Sequence, residues 1–146
     1  MHRVLVLWAP DTAESRKVVD VVSIALGAAK VAPLVKKAAE ATIADITASE
    51  IVVFGTQKIG ITEVPPDYSE YLRAFSGITL AGRTAGFFSV GQERATARLR
   101  KALKETEITQ IEDDPLFQDP DRDGEEIAAW MRRIVKFHQE RKGNHA

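Results

Sequence analysis

Three nearly unbroken apolar runs constrain this chain more than any other feature. They are Val4-Leu5-Val6-Leu7-Trp8, Ile51-Val52-Val53-Phe54 and Thr84-Ala85-Gly86-Phe87-Phe88-Ser89, and none shows a sustained alternation of polar and apolar residues. A strand with one wet face alternates, whereas a strand covered by helices on both faces does not. The runs therefore predict strands inside a parallel sheet. Parallel neighbours cannot be joined by a tight hairpin, so each pair needs a crossover long enough to hold a helix.

The segments between the runs supply those crossovers. Val18, Val19, Val22, Ala25, Leu26 and Ala29 recur at helical spacing and predict a helix from about Thr12 to Ala29. Val31 to Val35 reads as a weaker strand, placed at the sheet edge by Pro33, which has no N–H for a ladder. A short helix near Ala41–Ile46 follows. Asp67 is positioned to cap a helix with Tyr68, Tyr71, Leu72 and Phe75 on one face. Gln92 to Lys104 reads as a helix with Ala95, Leu99, Ala102 and Leu103 inward, and Ile108 to Ile111 as a last short strand. Ile127, Trp130, Met131, Ile134 and His138 form a stripe on a helix from about Asp123 to Lys142, leaving residues 143–146 as a flexible tail. Alternating strands and helices with right-handed crossovers give one α/β domain over residues 1–142, an open parallel sheet with helices on both faces.

Composition narrows the chemistry. The chain has 146 residues and no cysteine, which removes disulfides, thiol catalysis and cysteine-ligated metals. Twenty basic residues against 21 acidic ones argue against a dedicated nucleic-acid binder, which carries a basic excess to neutralise phosphates. The first apolar run is too short for a signal peptide, and no segment approaches the roughly 18 apolar residues of a membrane span, so the expected address is cytoplasmic without a membrane partner. There is no Gly-x-Ser-x-Gly, no P-loop, no Gly-x-Gly-x-x-Gly and no His/carboxylate spacing suited to a metal.

Open parallel sheets bind ligands outside the carboxyl ends of their strands, where the strand order reverses. That rule selects the loops Ala9–Ser15, Thr56–Pro66 and Ser89–Glu93. In the first of them, Asp11 and Glu14 stand at first-and-fourth spacing, which predicts a capping box with Asp11 as N-cap. Such a box would place two carboxylates at the positive end of the helix.

The order Val6-Leu7-Trp8-Ala9-Pro10-Asp11-Thr12-Ala13-Glu14-Ser15 resembles the phosphate-binding loop of the flavodoxins: two apolar residues, an aromatic, a turn bearing hydroxyl and small residues, then the first helix. Val6, Leu7, Ala13 and Val22 fit that pattern, Trp8 and Ser15 are near substitutions, and Pro10 and Val19 depart from it. Ile51-Val52-Val53-Phe54-Gly55-Thr56 with Gly60 and Val64-Pro65-Pro66-Asp67-Tyr68 is similar to the family's third strand and flavin-contacting loop. Gly82 to Gly91 is similar to its fourth strand and the loop behind it.

The resemblance implies a three-layer flavodoxin-like sandwich with a five-stranded parallel sheet in the order 2-1-3-4-5. It also implies non-covalent FMN as cofactor. The phosphate would meet Pro10, Asp11, Thr12, Ala13, Glu14 and Ser15, chiefly through the Thr12 and Ser15 hydroxyls and the amides of Ala13 to Ser15. The ring would lie across Thr56, Gln57, Ile59 and Gly60 on one side and Ser89, Val90, Gly91 and Gln92 on the other. Gly60 is the position where a backbone carbonyl can turn cheaply toward the flavin. The family commonly sandwiches its flavin between aromatic rings, whereas these loops offer Ile59 and no aromatic from Ser89 to Glu93; Phe117 and Tyr68 read as core or surface residues instead.

The implied activity is electron transfer to a redox partner protein of unknown identity, with the flavin rather than a catalytic side chain doing the chemistry. Two alternatives stay open: a flavodoxin-like interaction module without FMN, for which the Asp11/Glu14 pair argues, and a small flavin-dependent reductase. Charge is segregated along the chain. Glu112 to Glu126 holds eight acidic residues and one basic, a net of −7, so the remainder carries +6 against a total of −1. Basic residues gather at Arg94, Arg98, Arg100, Lys101 and Lys104, and again at Arg132, Arg133, Lys136, Arg141 and Lys142. They read as solvated helix faces, or as docking ground for an acidic partner.

Overall fold

A computed structural model describes residues 3–29, 31–58, 60 and 64–144. The elements run β1 (Val4–Ala9), α1 (Ala13–Ala28), β2 (Pro33–Lys37), α2 (Ile43–Thr47), β3 (Ile51–Gln57), α3 (Ser69–Ala74), β4 (Thr84–Val90), α4 (Ala97–Leu103), β5 (Thr109–Gln110), β6 (Leu116–Phe117) and α5 (Pro120–Asn144). The sheet order is β2-β1-β3-β4-β5, and every pairing is parallel. The three apolar runs are its central strands, buried along their whole length. As Pro33 implied, β2 is an edge, with the proline at its first position.

Period-two geometry divides these strands between two cores. Val4, Val6, Trp8, Ile51, Val53 and Phe88 pack under α1 and α5 with Val18, Val22, Leu26, Ile127, Trp130 and Ile134. Leu5, Leu7, Val52, Phe54 and Phe87 pack on the other face with Tyr68, Tyr71, Phe75, Leu99 and Leu103. Phe88, Phe117 and Trp130 meet pairwise with ring centroids 5.8–5.9 Å apart, while Phe54 stacks on Phe87 at 5.4 Å. Such pairs add about 0.5–1.5 kcal/mol each beyond simple burial. Gly55 is required where it stands: a Cβ there would lie 2.3 Å from Phe88 Cζ.

Several elements differ from their sequence expectations. β3 continues through Gly55 and Thr56 to Gln57, so both polar residues belong to the strand rather than to the following loop. α4 starts at Ala97 instead of Gln92. Residues 92–96 are diverted by specific fastenings: Ala95 N–H donates to Ser89 Oγ at 2.9 Å, and Thr96 Oγ1 donates to Asp114 Oδ2 at 2.8 Å. A sixth strand joins the expected five. β5 pairs with Thr84 and Ala85 at the start of β4, β6 pairs with Ser89 and Val90 at its end, and residues 112–114 leave the edge in between, bounded by the bonds of Ile111 N–H to the Ala85 carbonyl and of Ser89 N–H to the Pro115 carbonyl.

The acidic segment and the basic helices turn out to be partners. Arg94 Nε donates to the Asp114 carbonyl, Arg100 donates to the carbonyls of Ile111 and Asp113, and Arg133 pairs with Asp113. Arg100 also lies over the Phe87 ring, 4.4 Å from its centroid. α5 begins at Pro120, earlier than the expected Asp123, because Asp119 receives the Asp121 N–H and Asp123 turns back to accept from the amides of Gln118 and Asp119. It continues past Lys142 to Asn144. No helix among the described residues is long and apolar enough to cross a membrane.

Candidate functional site

The carboxyl edge of the sheet brings together the start of α1, the end of β3 and the end of β4, as the sequence loops predicted. At the start of α1, Thr12 is the N-cap: its backbone is extended and its hydroxyl accepts from Ser15 N–H at 3.1 Å. The expected capping box of Asp11 and Glu14 is absent. Asp11 sits one residue outside the cap and turns to the β2 edge, where Arg16 grips both its oxygens at 2.6 and 2.9 Å and Lys37 approaches to 3.3 Å. Two full charges outcompete a neutral amide for a carboxylate. Arg16 first, aided by Lys37, lowers the Asp11 pKa to about 2. Its charge is thereby matched locally instead of lying on the helix axis. Pro10, which precedes it, follows Ala9 through a cis peptide, and the Pro10 carbonyl accepts from Thr12 N–H.

Glu14 reaches across the chain rather than back along it. Its Oε2 accepts from Gln57 Nε2 at 2.6 Å. The other end of the same carboxamide, Gln57 Oε1, accepts from Thr12 Oγ1 at 2.6 Å and from Ser15 Oγ at 3.2 Å. Ser15 and Gln57 are both buried, and a Cβ on Gly91 would stand 3.5 Å from Gln57 Nε2. One side chain at the end of β3 thus touches the start of α1 and lies against the loop behind β4. Sequence reasoning placed Gln57 beside a ring; its geometry places it on the hydroxyls of the first helix. The missing signal was strand length: once β3 runs on through Gln57, period-two alternation puts that residue on the α1 face with Ile51 and Val53.

The remaining predicted residues fall into two groups. Thr56, Ser89 and Val90 are buried within β3 and β4, and the Ser89 hydroxyl is occupied by Ala95 N–H. Thr56 Oγ1 is buried and has no hydrogen-bond partner among the described residues. Gly91 and Gln92 open the loop behind β4, with Gln92 exposed, and Gly60 adopts φ +61°, a left-handed conformation cheap for glycine. Lys58 and Glu93 tie the loop behind β3 to the loop behind β4 at 2.7 Å. Ile59 lies outside the described residues, as do His2 and His145. Phe117 and Tyr68 are core residues, the Tyr68 hydroxyl donating to the Gly55 carbonyl at 2.8 Å.

The donor chemistry at the start of α1 suits a phosphate group. Two hydroxyls flank the amides of Ala13 and Glu14, which open a 16-residue helix where backbone N–H groups have no intrahelical acceptor. The Thr12 and Ser15 hydroxyls are at present turned onto Gln57 Oε1.

No family model matches the chain, and no curated protein matches it by sequence. Solved structures do. A short-chain flavodoxin associated with a non-canonical PDU bacterial microcompartment superposes with a TM-score of 0.84 at 18% identity, over 94% of this chain and 99% of that one. Oxidised flavodoxin 2 from Bacillus cereus gives 0.82 at 15% identity, over 92% and 98%. A Fusobacterium nucleatum flavodoxin bound to flavin mononucleotide gives 0.79 at 14% identity, over 93% and 98%. The class is therefore settled as α/β with a doubly wound parallel sheet. Within that class the chain has the flavodoxin-like fold, with a sixth strand on β4.

Proposed function

We propose that this protein is an FMN-binding, flavodoxin-like electron carrier. The observation that carries the reading is the start of α1: Thr12, Ser15 and the first helix amides stand at the carboxyl edge of a flavodoxin-like sheet, with the ends of β3 and β4 beside them. The F. nucleatum protein of the same fold is one bound to flavin mononucleotide. In this chain Thr12, Ala13, Glu14 and Ser15 would hold the phosphate. Gly60 and residues Gly91 and Gln92 would border the ring, with Thr56, Ser89 and Val90 forming the rigid strand ends behind them.

FMN, when bound, supplies the redox chemistry. The chain's own contribution is to fix the phosphate, orient the ring and limit water beside it. Asp11, matched by Arg16 and Lys37, adds little net repulsion toward an anion. The protein is proposed to work as an oxidoreductase component in the cytoplasm, passing electrons to a partner protein. The domain, expected to end at residue 142, is taken to reach the end of α5 at Asn144.

A second reading is favoured by one observation. The contact between Glu14 and Gln57 closes the donor set on itself, as in a flavodoxin-like interaction module without FMN. The visible spectrum of the purified protein separates the two. A carrier shows flavin absorbance, or acquires it on mixing with FMN and removing free ligand; a module stays colourless with millimolar FMN.

A further inference from the structure

We propose that the Gln57 carboxamide is a built-in occupant of the anion cradle at the start of α1, and that a phosphoryl group enters only when this side chain turns away. The proposal rests on the FMN reading for the identity of the ligand, but its core is a set of contacts within the chain itself. Gln57 Oε1 receives the protons of both Thr12 Oγ1 and Ser15 Oγ, at 2.6 and 3.2 Å, beside the positive end of α1. That is the hydrogen-bonding role a phosphate oxygen would take at a helix start. Glu14 Oε2 holds the amide nitrogen at 2.6 Å and so fixes which end of the carboxamide faces the hydroxyls. Gln57 is buried at the last position of β3, a rigid strand.

A neutral acceptor already using both hydroxyls must be displaced before a charged one can use them. The gain from the phosphate is reduced by the bonds that are broken. FMN should therefore exceed its phosphate-free analogue riboflavin in affinity by less in the native chain than in a chain that lacks the carboxamide. Specificity for the phosphorylated ligand is set by Gln57, which acts as a positioning residue: it controls what the two hydroxyls and Glu14 face.

Two variants separate the occupant from the charge. Gln57→Ala removes the carboxamide and leaves the Glu14 carboxylate. Glu14→Gln removes the charge but keeps an acceptor for Gln57 Nε2. The first readout needs no flavin: amide chemical shifts of Ala13 to Ser15 are followed while inorganic phosphate is added to native protein and to both variants. Gln57→Ala is expected to tighten phosphate binding at these amides by about tenfold or more, the scale of hydrogen bonds recovered by a charged acceptor. Glu14→Gln should improve it by less than Gln57→Ala does. Equal phosphate affinity in native protein and Gln57→Ala overturns the proposal, as does a gain from Glu14→Gln that matches or exceeds it.

The second readout is the ratio of FMN to riboflavin affinity by flavin fluorescence, which should rise in Gln57→Ala through FMN alone. If neither flavin binds any of the three proteins, the FMN reading fails while the phosphate result still decides the role of Gln57. Gln57→Ser, which keeps a small polar side chain at the strand end, replaces Gln57→Ala if that variant does not fold.

Discussion

Asp11 and Arg16 form a two-point ion pair, Nε and Nη2 lying 2.6 and 2.9 Å from the two carboxylate oxygens, immediately outside the first turn of α1. This pair, with Lys37 at 3.3 Å, takes the Asp11 charge away from the helix start. It holds the carboxyl pKa near 2 against an ordinary 3.8. A depressed folded-state pKa contributes stability that is fully present above the unfolded value and is lost as pH falls through the folded one. The Asp11 contribution is thus intact above about pH 4 and disappears toward about pH 2. Because the pair is exposed, it is small. Carboxyl carbon shifts followed by NMR should give an Asp11 midpoint near 2, and Arg16→Ala should move that midpoint upward. An unmoved midpoint would mean that Arg16 is not its main partner.

Thr12, not Asp11, closes the first turn of α1. Thr12→Ala removes the acceptor of Ser15 N–H and should cost about 0.5–2 kcal/mol, the usual range for losing an N-cap. Asp11→Ala should cost clearly less. Urea unfolding of both variants checks the order, and a larger loss from Asp11→Ala would restore the capping box that the spacing alone suggests.

Gly55 and Gly27 make opposite predictions. A Cβ on Gly55 would meet three atoms of the Phe88 ring at 2.3 to 2.9 Å, and that ring is locked against Phe117 and Trp130. Gly55→Ala should destabilise by about 1–3 kcal/mol through overpacking. Gly27, in the last turn of α1, has nothing within 4 Å of a Cβ. Gly27→Ala should stabilise by roughly 0.4–1 kcal/mol, because the alanine restricts the unfolded chain. Thermal or urea unfolding of the two variants should shift in opposite directions.

The fold was legible because its strongest signals are local and redundant. Unbroken apolar runs mark buried parallel strands, Pro33 marks an edge, and the stripe from Ile127 to His138 marks the helix that covers one face. Three of the departures share one physical origin: they occur where a polar side chain bonds a partner other than the local one its spacing suggests. Asp11 chose Arg16 and Lys37, Glu14 chose Gln57, and Thr96 chose Asp114. None of those pairings has a sequence pattern, since their partners lie 5 to 43 positions away. The early start of α5 is different. Asp119-Pro120 is a readable N-cap followed by proline at the first helical position, a signal that stands in the sequence within an acidic stretch. β6 was hidden because Leu116-Phe117 is too short for any period to show.

The central claim, that the carboxyl edge of this sheet holds FMN, is tested most directly by mapping backbone amide shifts while FMN is titrated into the apo protein. The account predicts saturable binding of one FMN per chain, with the largest changes at Ala13 to Ser15, Gly60, Gly91 and Gln92, and little change at the opposite edge around Arg83 and Glu107. Changes centred elsewhere, or none at all with millimolar FMN, would contradict it.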